Sequence, residues 1–127
     1  MAICNDYEFE LIRQKTGLDE ADLLEQADLL VVTRGEQGCS IYAVGSRTDV
    51  PAVAPQRIVD PTGVGDAFRG GFMKGMISGF DAETCGRLGS VAATYALEHL
   101  GGSSHAYSFD EFAARYEEHF GPLVSKA

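Results

Sequence analysis

The feature that most constrains this chain is residues 58–76, Ile-Val-Asp-Pro-Thr-Gly-Val-Gly-Asp-Ala-Phe-Arg-Gly-Gly-Phe-Met-Lys-Gly-Met. An apolar pair leads into turn residues, and a helix-compatible run follows Asp66. The glycines therefore fall where a loop becomes a helix N-terminus. The first N–H groups of a helix have no partner inside it, and its dipole favours negative charge there. Gly63 and Gly65 let that backbone come close to an anion. A plain anion cradle has no electrostatic use for Asp66, because a carboxylate repels phosphate. Asp66 suits a base that takes a proton from a hydroxyl attacking a phosphate. It also suits the first turn of any helix, where acids are common. A Walker A loop is excluded, since Lys74 lies between Met73 and Gly75. A dinucleotide fingerprint is excluded because its third glycine position holds Phe68.

The rest of the chain reads as strands followed by helices. Residues 1–4 look like the tail of a strand, and Asn5-Asp6 is a turn and cap signal. Residues 7–15 fit a helix stopped by Thr16-Gly17, and Asp19 opens a second short helix to about Gln26. Asp28-Leu-Leu-Val-Val-Thr33 is a continuous apolar run, as in a buried parallel strand. After a turn at residues 34–38, the alternation from Cys39 to Val44 predicts a strand antiparallel to its neighbour. A hairpin tip is expected at residues 45–49 and a short strand at residues 50–54. Beyond Asp66 a helix runs to about Ser78 despite Gly70, Gly71 and Gly75, which suggest close packing or a nearby ligand. Asp81 caps a long helix to about His99, and a last amphipathic helix ends near His119 before Gly121-Pro122. This order implies an α/β layer structure whose ligands bind at the carboxyl ends of the strands. Thr33-Arg34-Gly35 and Asp60-Pro61-Thr62 both lie just past strand ends and are expected at one crevice.

A net charge of −9 argues against non-specific nucleic-acid binding, so an anionic ligand needs local groups. Cys4, Cys39 and Cys85 form no Cys-x-x-Cys pair, which fits a reducing, cytoplasmic setting without a zinc site. No apolar run reaches transmembrane length, so no membrane partner is expected. Asn5-x-x-Glu8 reads on its own as a helix cap with a solvated acid. Thr33-x-Gly35-x-x-Gly38 reads as an ordinary turn between strands. Arg34 either reaches a phosphate or is a solvated rim charge. Arg69 either supports an anion site or pairs with an acid. His99 and His105 are explained as helix-end or surface residues.

Asp60-Pro-Thr-Gly-Val-Gly-Asp66-Ala-Phe-Arg-Gly-Gly resembles the C-terminal signature of the ribokinase (PfkB) family of carbohydrate and nucleoside kinases. The resemblance implies a ribokinase-like, Rossmann-like α/β fold with helices packed on a mostly parallel sheet. It implies that Gly63, Val64 and Gly65 form an anion hole with Asp66 as the catalytic base. It also implies ATP as donor and a primary hydroxyl of a sugar or nucleoside as acceptor. Thr33, Arg34, Gly35 and Gly38 then belong to the nucleotide-binding turn. The resemblance further implies that Asn5 and Glu8 organise magnesium and phosphate through water, and that Asp60 and Thr62 lie where many members hold a potassium ion. Asn5-Asp-Tyr-Glu-x-Glu, Lys15-Thr-Gly-Leu and Tyr95-Ala-Leu-Glu-His are most similar to bacterial adenosine-kinase-type members.

The resemblance spans nearly the whole chain but only the C-terminal part of a family member. Residues 1–127 are thus expected to be one incomplete nucleotide-binding part of a kinase domain, inactive alone. Self-association, or pairing with a missing N-terminal half, is expected. The alternative is a non-catalytic remnant that binds nucleotide or a partner chain only.

Overall fold

A computed structural model describes residues 1–24, 27–43, 45–55, 63–98 and 109–123. The chain forms two compact units, Met1–Pro51 and Ala52–Ala127. The lead-in pair Ile58 and Val59, the candidate ion ligands Asp60 and Thr62, His99, the loop at 101–104 and His105 lie outside the described residues, as does Gln26.

The first unit is a four-stranded sheet in the order β1 (Ala2–Asn5), β2 (Leu29–Thr33), β3 (Cys39–Ala43), β4 (Ser46–Val50). Helices α1 (Asp6–Thr16) and α2 (Glu20–Leu24) link β1 to β2. Asn5 caps α1 in a reciprocal capping box with Glu8, and Gly17 closes it at φ 72°, donating to the Arg13 carbonyl at 2.8 Å. Asp19 and Asp22 exchange the same kind of bonds at the start of α2. Cys4, Phe9, Leu30, Val32 and Tyr42 form a core against which Leu23 and Leu24 pack.

The expected mostly parallel sheet is not what forms. β1 and β2 are parallel, whereas β2–β3 and β3–β4 are antiparallel. The cause is link length. A parallel crossover takes about a dozen residues or more. Residues 6–28 supply that, while residues 34–38 and 44–45 do not. The antiparallel expectation holds over Cys39–Ala43, and Val44 lies outside the described residues. The hairpin tip expected at 45–49 is instead strand β4, with Ala43 opposite Ser46, and residues 51–55 form no strand. Arg47 and Asp49 explain the misreading. They are polar, but they sit opposite Tyr42 and Ser40 and bond across the ladder.

The second unit contains α3 (Val64–Ile77), α4 (Ala82–Glu98) and α5 (Phe109–Phe120). Asp81 caps α4 by accepting from the Thr84 N–H at 2.8 Å. Gly121, at φ 82°, ends α5. The glycines of α3 have a packing cause. A Cβ at Gly71 would lie 2.9 Å from the Leu88 carbonyl oxygen, and one at Gly75 2.9 Å from Cys85 Sγ. One at Gly89 of α4 would lie 2.9 Å from the Phe68 ring. Missing side chains on both helices thus let the backbones approach. Val53, Leu88, Val91, Tyr95 and Tyr116 form the core of this unit, with Phe80, Phe112, Phe120 and Leu123 packed on it. Full burial of such side chains is worth roughly 1.5–3 kcal/mol each.

Candidate active site

The anion-binding candidate is built by one backbone conformation. Gly63 caps α3 in the left-handed region, φ 79° and ψ 4°, with no side-chain cap. The first intrahelical bond runs from the Ala67 N–H to the Gly63 carbonyl, 2.9 Å. The N–H groups of Val64, Gly65 and Asp66 precede that bond and have no partner within the helix. Gly65 is not in the left-handed region, so the freedom that glycine supplies is used at Gly63. Among the described residues, a Cβ at Gly65 would meet only Arg69 Nη1, at 3.6 Å. The Asp66 side chain is 91% exposed, and its Oδ1 lies 3.8 Å from Arg69 Nη1. Exposure leaves the carboxylate accessible to a substrate, and Arg69 faces it one helical turn on.

The first unit gathers a second group at the carboxyl ends of β1 and β2. Asn5 and Thr33 are register partners there. Asn5 Oδ1 accepts from the Glu8 N–H at 2.7 Å, and Glu8 Oε1 accepts from the Asn5 N–H at 2.9 Å. Both residues are exposed. The helix-cap reading of Asn5-x-x-Glu8 is therefore realised. The Thr33 hydroxyl donates to the Cys4 carbonyl at 3.5 Å. Gly35 and Gly38 take φ 58° and 89° around a single 3₁₀ turn, closed by the Arg34 N–H donating to the Gly38 carbonyl at 2.7 Å. Both glycines are demanded by this turn.

Arg34 lies across the sheet, donating to the Ser40 hydroxyl and, at 3.2 Å, to the Tyr42 hydroxyl. Ser40 donates to Asp49 Oδ1 at 2.6 Å, and Arg47 Nε donates to the same oxygen at 3.0 Å. The Ser40 hydrogen bond, then Arg47, hold the Asp49 carboxyl below its usual range. Cys39 ends the same turn, but burial pushes its thiol up to about 12, so it stays neutral and is no nucleophile.

A third group went unread in the sequence. Arg115 of α5 donates to both carboxylate oxygens of Glu98, 3.0 Å to Oε1 and 2.6 Å to Oε2, and both side chains are buried. Arg115 also reaches the Ala54 carbonyl at 3.5 Å and stacks over the Tyr95 ring. One signal was available: Arg115 interrupts the apolar face that Phe112 and Tyr116 mark.

The model for pfkB family carbohydrate kinases matches residues 1–107. The chain belongs to the pfkB family. A nucleoside kinase of Methanocaldococcus jannaschii is 33% identical over 115 residues, which covers 91% of this chain and 38% of that protein. A nucleoside kinase of Burkholderia thailandensis, solved in complex with ADP–inosine, superposes with a TM-score of 0.92 at 41% identity. That match covers 99% of this chain and 40% of the other. An adenosine kinase of Sinorhizobium meliloti gives a TM-score of 0.72 at 27% identity, covering 91% and 35%. Within the pfkB family the chain is thus similar to nucleoside kinases, and it spans about two fifths of their length. Among the described residues no helix is long and apolar enough to cross a membrane.

Proposed function

We propose that this chain is the nucleotide-binding part of an ATP-dependent kinase that phosphorylates a primary hydroxyl of a nucleoside. The acceptor class follows the relatives, which are named as nucleoside kinases. The observation that carries the reading is the α3 N-terminus, where three N–H groups and an exposed carboxylate share one turn. In this reading Val64, Gly65 and Asp66 N–H groups bind the transferring phosphoryl oxygens. Asp66 accepts the proton of the attacking hydroxyl as the new P–O bond forms and the bond to the ADP leaving group breaks. Thr33, Arg34, Gly35 and Gly38 contact nucleotide. Asn5 and Glu8 face magnesium through its waters, which suits an exposed carboxylate already engaged in a cap and an ion reluctant to lose its shell. The chain alone is expected to turn over poorly, because positioning the acceptor supplies several powers of ten in rate.

The test is a titration of the chain, Asp66→Asn and Gly65→Val with sulfate and with ATP, followed at the amides of residues 63–68. Asp66→Asn keeps the shape and removes the repelling charge, so anion binding is preserved or tightened. Gly65→Val places a branched side chain over the N–H groups, so binding falls. Equal losses in both variants overturn the anion hole with an adjacent base, and leave Asp66 as a structural acid.

A further inference from the structure

We propose that the Arg34 side chain is a positioning group: locked to Ser40 and Tyr42, it holds the turn at residues 34–38 in the shape that takes a nucleotide. The inference rests on the reading of that turn as nucleotide-binding, and gives the guanidinium a task other than gripping a phosphate.

The turn has little rigidity of its own. Gly35 and Gly38 stand at φ 58° and 89°, and glycine gives up more conformational freedom on ordering than any other residue. Glu36 and Gln37 are exposed. Three backbone bonds close the turn. The Arg34 N–H donates to the Gly38 carbonyl at 2.7 Å, the Gln37 N–H to the Arg34 carbonyl at 3.1 Å, and the Gly38 N–H to the Gly35 carbonyl at 3.1 Å. Arg34 takes part in two of them, so fastening Arg34 to the sheet fastens the turn.

The fastening is on β3. Ser40 and Tyr42 are next-but-one neighbours on that strand and therefore line one face of it. Arg34 Nη1 donates to the Ser40 hydroxyl, and Nη2 donates to the Tyr42 hydroxyl at 3.2 Å. Both acceptors are buried, and Tyr42 belongs to the core of its unit. A planar guanidinium fork suits two acceptors at a fixed spacing. Ser40 is free to accept because its own proton goes to Asp49 Oδ1, at 2.6 Å. Asp49 thus sets the direction of the Ser40 hydroxyl. Arg47 steadies the far side, with Nε donating to the same carboxylate oxygen at 3.0 Å and its guanidinium over the Tyr42 ring.

Both terminal nitrogens of Arg34 are committed to the sheet. Swinging out to a phosphate would take the Arg34 donors from two buried hydroxyls. A buried polar group stripped of a partner costs more than an ordinary hydrogen bond contributes net. The balance favours a guanidinium that stays and a turn that meets the ligand with its backbone.

The experiment titrates the chain with adenosine and with ATP, read at the amides of residues 33–38, alongside amide exchange and the thermal midpoint. One variant is Ser40→Ala/Asp49→Ala, which removes the joint and the carboxylate behind it. The other is Arg34→Lys, which keeps the charge and loses the fork. Both are expected to keep the midpoint and the exchange along β2. Both are expected to exchange the Arg34 and Gly38 N–H groups about tenfold faster and to bind adenosine about fivefold more weakly. ATP weakens as well. In the double variant that fall runs against electrostatics, because a carboxylate is removed and a guanidinium released. If Arg34 grips a phosphate instead, the double variant binds ATP more tightly, and Arg34→Lys loses ATP affinity while adenosine affinity stays. Either result overturns the proposal. So does wild-type exchange at Arg34 and Gly38 in both variants, or faster exchange along β2 with a falling midpoint. If the wild-type chain takes neither ligand, the nucleotide reading of this turn fails, and the local exchange still decides whether the network holds it.

Discussion

Gly63 and Gly65 stand two residues apart and have different physical jobs. Gly63 holds φ 79°, which costs an L-residue with a Cβ about 1–2 kcal/mol. Gly65 is helical, and among the described residues a Cβ there makes only an ordinary 3.6 Å contact with Arg69, so alanine is better than glycine by up to about 1 kcal/mol. Gly63→Ala is therefore expected to lower the urea midpoint, and Gly65→Ala to leave it unchanged or raise it. The opposite ranking would mean the left-handed residue is misplaced. The Gly-x-Gly spacing shows that backbone freedom is needed, but not which glycine uses it, because φ is set by where the helix begins. The start of α3 after Gly63, with Asp66 in its first turn, was legible for the opposite reason. That placement depends on chain-local geometry, one turn and one helix. Glu98 and Arg115 were not legible, because their partnership crosses between helices and nothing in either local sequence names the other.

At the scale of elements, helices were easier to read than strands. Caps announce themselves: Asn5 with Glu8, Asp81, Gly17 and Gly121 all bound helices as their residue types predict. β4 hid because Arg47 and Asp49 face solvent on one side of an edge strand, and apolar alternation is absent. The sheet departs from the mostly parallel one that the family resemblance implies in its strand directions: β1 and β2 are parallel, whereas the links after β2 are too short to cross over. The glycines of α3 separate packing from propensity. Gly71→Ala pushes a Cβ to 2.9 Å from a backbone oxygen of α4, which cannot rotate away. It is expected to cost about 1–3 kcal/mol, as overpacking does. Gly70 has nothing within 4 Å of a Cβ, so Gly70→Ala is expected to stabilise by up to about 1 kcal/mol. Paired urea unfolding curves check both, and a stabilised Gly71→Ala would refute the close α3–α4 approach.

For the whole molecule, two opposed terms decide whether copies stay apart. Ile77 is 83% exposed, and Met73 and Met76 are exposed on the same end of α3. Residues three and four apart share a helix face, so Met73, Met76 and Ile77 make one apolar patch. Soluble monomers seldom leave such surface uncovered when it grows large. Against association stands a net charge of −9 on every copy. Charge repulsion is screened by salt, since the Debye length falls from about 30 Å at 0.01 M to about 3 Å at 1 M. Apolar contact is not screened. The chain is therefore expected to associate at tens of micromolar, and to do so more strongly as salt rises. Ile77→Lys removes apolar area and puts a charge inside the patch. It should return the chain to a monomer at both salt levels, even though it lowers the net negative charge and so weakens repulsion. Sedimentation velocity at low and high salt reads each outcome. Association that weakens with salt would place the contact among the charged groups and not on α3. A clean monomer at both salt levels would show that the α3 patch does not bring copies together.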